Sequence, residues 1–354
     1  MIHVVLLLAC AVVVYLACEW FVNAVEWLGV RLRVGPLAVG TVLAAAGTAL
    51  PESVVTLFAV LIGSRDGDEI GVGAALGGPL VVGTLAYAVT GVVLLHRMRR
   101  LAAPVPQLAG PAPAGRAPAA EGPEPRALDG TDTRRLARDQ AWFLAIFVVK
   151  VGLGLVAFAV KPWLGLLFFV AYGVYVWRET GGGAGSDHAA GEGLEPLRLQ
   201  PRRRSPATAA VVVQTVATLG VIFLAAQLFV HQLEWAGPAL GLAPAVVALL
   251  LAPVATELPE IMNAIIWARQ GRTSLALANI SGAMMIQATV PSGIGLLATP
   301  WLFDTPLLLA GMATMLSVGY LLVLFRTNRA TPGRLVLAAG FYLLFAAALA
   351  VAVP

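Results

Sequence analysis

Charge is what this chain has least of. Only 12% of its 354 residues are Asp, Glu, Lys or Arg, against 59% hydrophobic residues, and the mean hydropathy is +0.86. A soluble domain of this length buries a large core but needs a far more polar surface, so that class is excluded. Cysteine is nearly absent: Cys10 and Cys18 lie in one apolar run. Eight residues apart on a helix, they are separated by more than about 10 Å at ~1.5 Å rise per residue and cannot pair. Histidine is scarce and scattered (His3, His96, His188, His231), with no H-E-x-x-H pair and no nucleophile placed beside a base. There is no G-x-x-x-x-G-K-[ST] phosphate loop either. These absences argue against an intramembrane enzyme and an ATP-driven pump, and no motif requires a cofactor. The opening run "MIHVVLLLACAVVVYLACEWFV" lacks a basic n-region and exceeds a signal core, so it reads as a retained first helix.

What is present is a series of apolar runs. They cover roughly 3–30, 37–62, 70–95, 141–160 and 162–177, then 208–233, 239–268, 274–298, 305–325 and 334–353. Each is about the length needed to cross a hydrocarbon core, ~20 residues. The predicted fold class is an all-α polytopic membrane protein of about ten transmembrane helices, arranged five and five. Two polar segments interrupt them. Residues 97–139, rich in Pro, Ala, Gly and Arg, read as a disordered loop. Residues 179–206 read as a linker between a first unit, 1–178, and a second, 207–354.

Basic residues orient the chain. With ten spans, the loops after the odd-numbered helices carry about 20 of the 23 Lys and Arg residues, while the other face keeps Arg65 and Lys161. That face is expected to be cytoplasmic in the inner cell membrane, with both termini outside. The charge of +4 is thus explained by topology. No basic stretch has the interleaved aromatics of a single-strand binder, so nucleic acid is not an expected partner. The lipid bilayer is. Oligomeric state is not encoded in any pattern found here.

The two halves are related. A shift of 208 residues aligns "FVNAVEWLGVRLRVGP" (21–36) with "FVHQLEWAGPALGLAP" (229–244). It also brings Thr48, Leu50, Pro51 and Glu52 onto Thr256, Leu258, Pro259 and Glu260. An odd number of spans per half makes this an inverted repeat, an architecture common in secondary transporters.

The repeated motif has a chemistry. Pro51 lacks an N–H and crowds the carbonyl of Gly47; Pro259 does the same to Ala255. Freed carbonyls away from bulk water need partners, and a cation can serve. Thr48 and Thr256 add hydroxyl and carbonyl oxygens one turn before the two glutamates. An acidic residue in mid-bilayer costs on the order of 3 kcal/mol, so it normally faces a cavity, a partner or an ion path. Two carboxylates neutralise a divalent ion, and a calcium ion takes about 6–8 oxygens.

"GTALPE" and "ATELPE" resemble the G-T-S-L-P-E core of the α-repeats of the cation/calcium antiporter superfamily, the sodium/calcium exchangers and their relatives. The ten-helix plan and the break between helices 5 and 6 are similar too. The resemblance implies that Glu52 and Glu260 bind Ca²⁺ and Na⁺ alternately, aided by Thr48 and Thr256. The chain departs from the family in the next helix of each half. The polar G-N-x-x-G-S-N-x-x-N-like stretch is here "GAALGGPLVV" (73–82), with Ala74, Gly78, Pro79 and Val82 at polar positions. In the second half it is "ANISGAMMIQ" (278–287), which keeps Asn279 and Gly282, has Ser281 one position early, and places Met284 and Gln287 at the expected polar pair. The motif serine is Ala49 in one half and Glu257 in the other.

Two residues are candidates to compensate. Glu257, three residues before Glu260, adds a third carboxylate or carries a proton. Lys150, inside helix 4, pairs with a carboxylate, stands in for a bound cation, or snorkels along a short helix. Glu19 and Asn23 on helix 1 are further candidates, ranked below these because helix-end polar residues are more often interfacial, and Met284 and Met285 read as packing. Trp20, Trp27, Trp142, Trp163, Trp177, Trp235 and Trp301 read as an interfacial belt. The expected function is secondary active exchange of Ca²⁺, or a similar cation, for Na⁺ by alternating access. Exchange against H⁺ through the same glutamates, and a degenerate member that binds without transporting, are the alternatives.

Overall fold

A computed structural model describes residues 2–49, 53, 65–102, 128, 131–181, 194–239 and 250–352. Among them there is no strand. The helices form ten successive rods. In the first half, α1 is Ile2–Leu32 and α2 is Pro36–Ala49. The rod α3 joins Arg65–Val81, a π-helical turn Val82–Ala86 and Tyr87–Ala102. Then come α4, Thr133–Gly154, and α5, a 3₁₀ turn Lys161–Leu164 leading into Gly165–Gly181. In the second half, α6 is Thr208–Ala239 and α7 has two pieces, Ala252–Thr256 and Leu258–Arg269. The last rods are α8, Thr273–Ala298, α9, Thr305–Arg326, and α10, Pro332–Val336 with Ala339–Ala352.

Six of these rods (α1, α3, α6, α8, α9 and α10) are long and apolar enough to cross a membrane. Their burial differs sharply. The most apolar stretch is 83% buried in α8 and 72% in α3, against 33% in α1 and α6 and 22% in α10. The centre is therefore built on α3 and α8. The outer rods turn residues such as Leu8, Leu16, Val216, Leu224 and Leu343 outward, as lipid-facing helices do.

The helices extend further into the polar segments than the sequence suggests. Residues 97–102 and 133–139, read as ends of a disordered loop, are helical. The reason is local. Asp132 caps α4 by accepting the N–H groups of Arg134 and Arg135, each at 3.1 Å. Arg99 and Arg100 sit in the last turn of α3, where the helix dipole favours cations. Most of the loop, 103–127, lies outside the described residues.

Small residues set the central crossings. A Cβ on Gly282 of α8 would come within 2.2 Å of the Thr41 carbonyl oxygen on α2, so the two backbones touch there. A Cβ on Gly77 of α3 would come within 2.7 Å of Pro253 in α7. The helix that leads into each motif thus packs on the motif-following helix of the other half. Met284 and Met285 are fully buried packing residues, as expected.

Two other expectations need correction. Trp20, Trp163 and Trp177 are exposed and suit a belt, but Trp27 and Trp301 are buried with their indole N–H groups bonded to the carbonyls of Glu195 (2.9 Å) and Lys150 (3.1 Å). Side-chain surroundings of Trp235 lie outside the described residues. Asn23 of α1 faces the linker. It is buried, donates to the Glu195 and Pro196 carbonyls, and accepts from the Arg198 N–H at 3.1 Å. Gln214 of α6 bonds both Asn23 and the Leu199 N–H. Part of the linker thereby straps α1 to α6.

Candidate functional site

The second motif builds a break of the expected kind. The first piece of α7 ends at Thr256, Glu257 takes φ −82° and ψ 2°, and a new helix starts at Leu258. Pro259 falls in the first turn of that new helix, where a missing N–H costs no hydrogen bond. Glu260 stands in the same turn, where the helix dipole favours a carboxylate. Thr256 donates its hydroxyl to the Pro253 carbonyl at 3.1 Å, and the Glu257 N–H reaches that carbonyl at 3.0 Å. The Thr256 oxygen retains its lone pairs, so it can still face a cation. Ala255, whose carbonyl was the expected ligand, is buried in the last turn before the break.

Glu257 and Glu260 are both fully buried. Asn279 comes across from α8 and donates its amide to the Glu260 carbonyl at 3.3 Å. Glu257 meets two other helices. Gln287 of α8 donates to its Oε2 at 2.6 Å, and its Oε1 would lie 2.6 Å from a Cβ placed on Gly78 of α3. Gly78 is one of the positions where the resemblance implies a polar side chain. The carboxylate of the second half thus takes up the space left by the bare glycine of the first.

In the first half, Thr48 is buried and donates to the Ala44 carbonyl at 3.0 Å, leaving its lone pairs available. Gly47 backs onto α1 and α6, where an added Cβ would meet Phe21 at 3.0 Å and Leu219 at 3.3 Å. Glu52 and Pro51 lie outside the described residues, so the pairing of the two motif glutamates is an expectation carried from the sequence. Among the described residues no three His, Cys, Asp or Glu side chains gather as a metal-holding group.

Sequence reasoning missed Asn263. It sits three residues after Glu260 on the same face of α7, fully buried, and its amide has no hydrogen-bond partner among the described residues. The available signal is a polar residue inside an apolar run one turn past the motif. Ser281 is placed away from Glu257, in a chain in which the Gln140 amide donates to Tyr87 Oη at 2.7 Å and Tyr87 meets the Ser281 hydroxyl at 3.2 Å.

Lys150 does not snorkel. It is fully buried, with its ammonium on the Ala75 carbonyl at 2.6 Å and 4.6 Å from the centre of the Phe147 ring. Burial on every side overturns the reading of a short helix with an escaping tip.

The profile of the sodium/calcium exchanger protein family matches residues 2–181 and 210–353. The chain belongs to that family. Membership makes it a multi-pass membrane protein of an exchanger family. Its fold agrees with solved structures of the sodium-calcium exchanger NCX_Mj. One was soaked with 2.5 mM Na⁺ and 0.1 mM Ca²⁺; it has TM-score 0.71 and 16% identity and covers 99% of each chain. One with 100 mM Na⁺ and 10 mM Sr²⁺ gives TM-score 0.70 and 17% identity over 99% of this chain and 98% of that one. One without Na⁺ and Ca²⁺ gives 0.69 and 16%, over 98% of each. At such identity the likeness concerns the fold: a ten-helix inverted repeat. No curated protein matches the sequence.

Proposed function

We propose that this protein is a secondary active antiporter that exchanges Ca²⁺, or a similar cation, for Na⁺ through a site formed by Glu52 and Glu260, by alternating access. One observation carries the reading: Glu260 is fully buried at the interruption of α7, its carbonyl held by Asn279 of the neighbouring helix. A buried acid at a helix break is costly unless it meets a partner or an ion. Thr48 and Thr256 supply hydroxyl oxygens, and the carbonyls of Gly47 and Ala255 supply the rest of the shell. The reading needs no cofactor and no covalent chemistry. The transported ions are its substrates.

Exchange against H⁺ is the second reading, favoured by the buried Glu257 bonded to Gln287. A carboxyl group in that position can carry a proton across while Glu260 carries the cation. The charge distribution along the chain supports an inner cell membrane location with the termini outside and the 97–139 and 179–206 segments in the cytoplasm. The family profile skips 182–209, which supports two repeats of five helices, 1–178 and 207–354, on either side of the linker.

The test is uptake of radioactive calcium into proteoliposomes under an imposed sodium or proton gradient, beside Glu52→Gln and Glu260→Gln. Uptake driven by one gradient and lost in both variants is the expected result and names the counter-ion. Folded protein without flux under either gradient sinks the antiport reading and leaves the non-transporting alternative.

A further inference from the structure

The Ala75 carbonyl is short of a partner for a covalent reason. In a helix it accepts from the N–H of residue 79, and residue 79 is Pro79, inside the Arg65–Val81 helix. A buried carbonyl left in this way needs a donor or a cation. Lys150 of α4 supplies one, reaching across to Ala75 at 2.6 Å. The rest of its setting also suits a cation. The ammonium lies over the Phe147 ring. The backbone of Lys150 is itself fixed, because the Trp301 indole donates to its carbonyl at 3.1 Å. Trp301 is pinned in turn by Lys161, which donates to the Trp301 carbonyl at 3.1 Å.

Ala75 and Gly78 are one turn apart on α3, so they share a face. Lys150 therefore meets α3 one turn from the place where Glu257 and Gln287 meet it. A positive group on a proline-freed carbonyl, one turn along α3 from a carboxylate and an amide, repeats in covalent form what a bound monovalent cation would do.

Resting on the antiport reading above, we propose that Lys150 is a specificity-determining residue: its ammonium is a tethered cation that occupies one ion place on α3 and so lowers by one the number of free monovalent cations exchanged per cycle. The first repeat can then dispense with polar side chains at 74, 78 and 82, since no free ion has to be coordinated there.

The test compares the full-length protein with Lys150→Ala, which vacates room for an ion, and Lys150→Met, which removes the charge but fills the room. Calcium uptake into proteoliposomes is measured against sodium concentration, and thermal unfolding is measured in sodium against choline chloride. The expected result is a sodium dependence steeper by one ion in Lys150→Ala, with a sodium-dependent rise in its melting temperature that exceeds the rise in the unmodified protein. Lys150→Met shows neither. Identical sodium steepness in all three proteins overturns the proposal, as does equal behaviour of the Ala and Met variants. Should Lys150→Ala not fold, Lys150→Gln decides. Its amide can still meet Ala75 without a charge, and calcium then binds on the order of tenfold more tightly because a nearby positive charge is gone. Unchanged affinity overturns the proposal. Glu260→Gln in the same assay keeps the two ideas apart. Flux lost there, with no difference among the Lys150 variants, leaves antiport standing and removes only the tethered cation. No flux in the unmodified protein removes both.

Discussion

The two repeats share a motif but divide the work unequally. Around α7 and α8, the second half brings together Glu257, Glu260, Asn263, Asn279 and Gln287, all buried. At the matching stretch of α3, the first half presents Ala75, Gly77, Gly78 and Pro79, which carry no polar side chain. The gap is filled from other helices: Glu257 of the second half leans onto Gly78, and Lys150 of α4 bonds Ala75. Duplicated halves can therefore diverge and still pack, provided one half's excess polarity fits the space the other half leaves. The glycine here is a seat for a carboxylate held by the other half.

Removing Glu260 breaks the comparison most completely. Glu260→Gln should take cation flux to background while the protein still purifies as a monodisperse species; retained flux would mean that Glu260 is structural. The backbone crossing comes next. Gly282→Ala drives a methyl into the Thr41 carbonyl region, where both sides are backbone and neither can yield. Overpacking of this kind costs about 1–3 kcal/mol, read as a lowered melting temperature with Gly319→Ala, a position open on all sides, as the control.

Gly78→Ala tests the seat itself. Its Cβ would stand 2.6 Å from Glu257 Oε1 and 3.3 Å from Gln287, so the carboxylate must move. Divalent affinity should fall by roughly tenfold, equivalent to ~1.4 kcal/mol, measured by calcium binding. Gly73→Ala on the same helix meets nothing within 4 Å and should leave affinity unchanged. A fall in both variants would assign the effect to helix α3 in general. The smallest effect on transport is expected at the strap. Asn23→Ala removes bonds to Glu195, Pro196 and Arg198, worth about 1–3 kcal/mol together. Limited proteolysis should then cut the 194–207 segment faster while transport persists.

Several of these features are legible in the order of residues alone. Thr256 and Glu260 stand in a repeated pattern of Thr, Pro and Glu, and proline's missing N–H has the same consequence in any helix. The ten apolar runs follow from the cost of unpaired backbone in lipid. Composition, however, undercounts the helices: the Asp132 cap and the terminal arginines of α3 carry them into segments that composition assigns to loops. Trp301 reads as interfacial because it lies near a span end. Its burial depends on contacts with residues some 150 positions away.

The sequence by itself determined that this protein is a polytopic helical bundle with two related halves and a repeated proline-glutamate motif, because those follow from hydrophobic length, helix geometry and backbone hydrogen bonding. Only the tertiary structure decided which half lends its side chains to the other. Whether Glu257 faces Gly78, whether Asn263 is buried, and whether Lys150 reaches the carbonyl that Pro79 leaves open are set by how rods distant in sequence cross one another. Crossing is fixed where glycines let backbones touch, and no single segment encodes that alone.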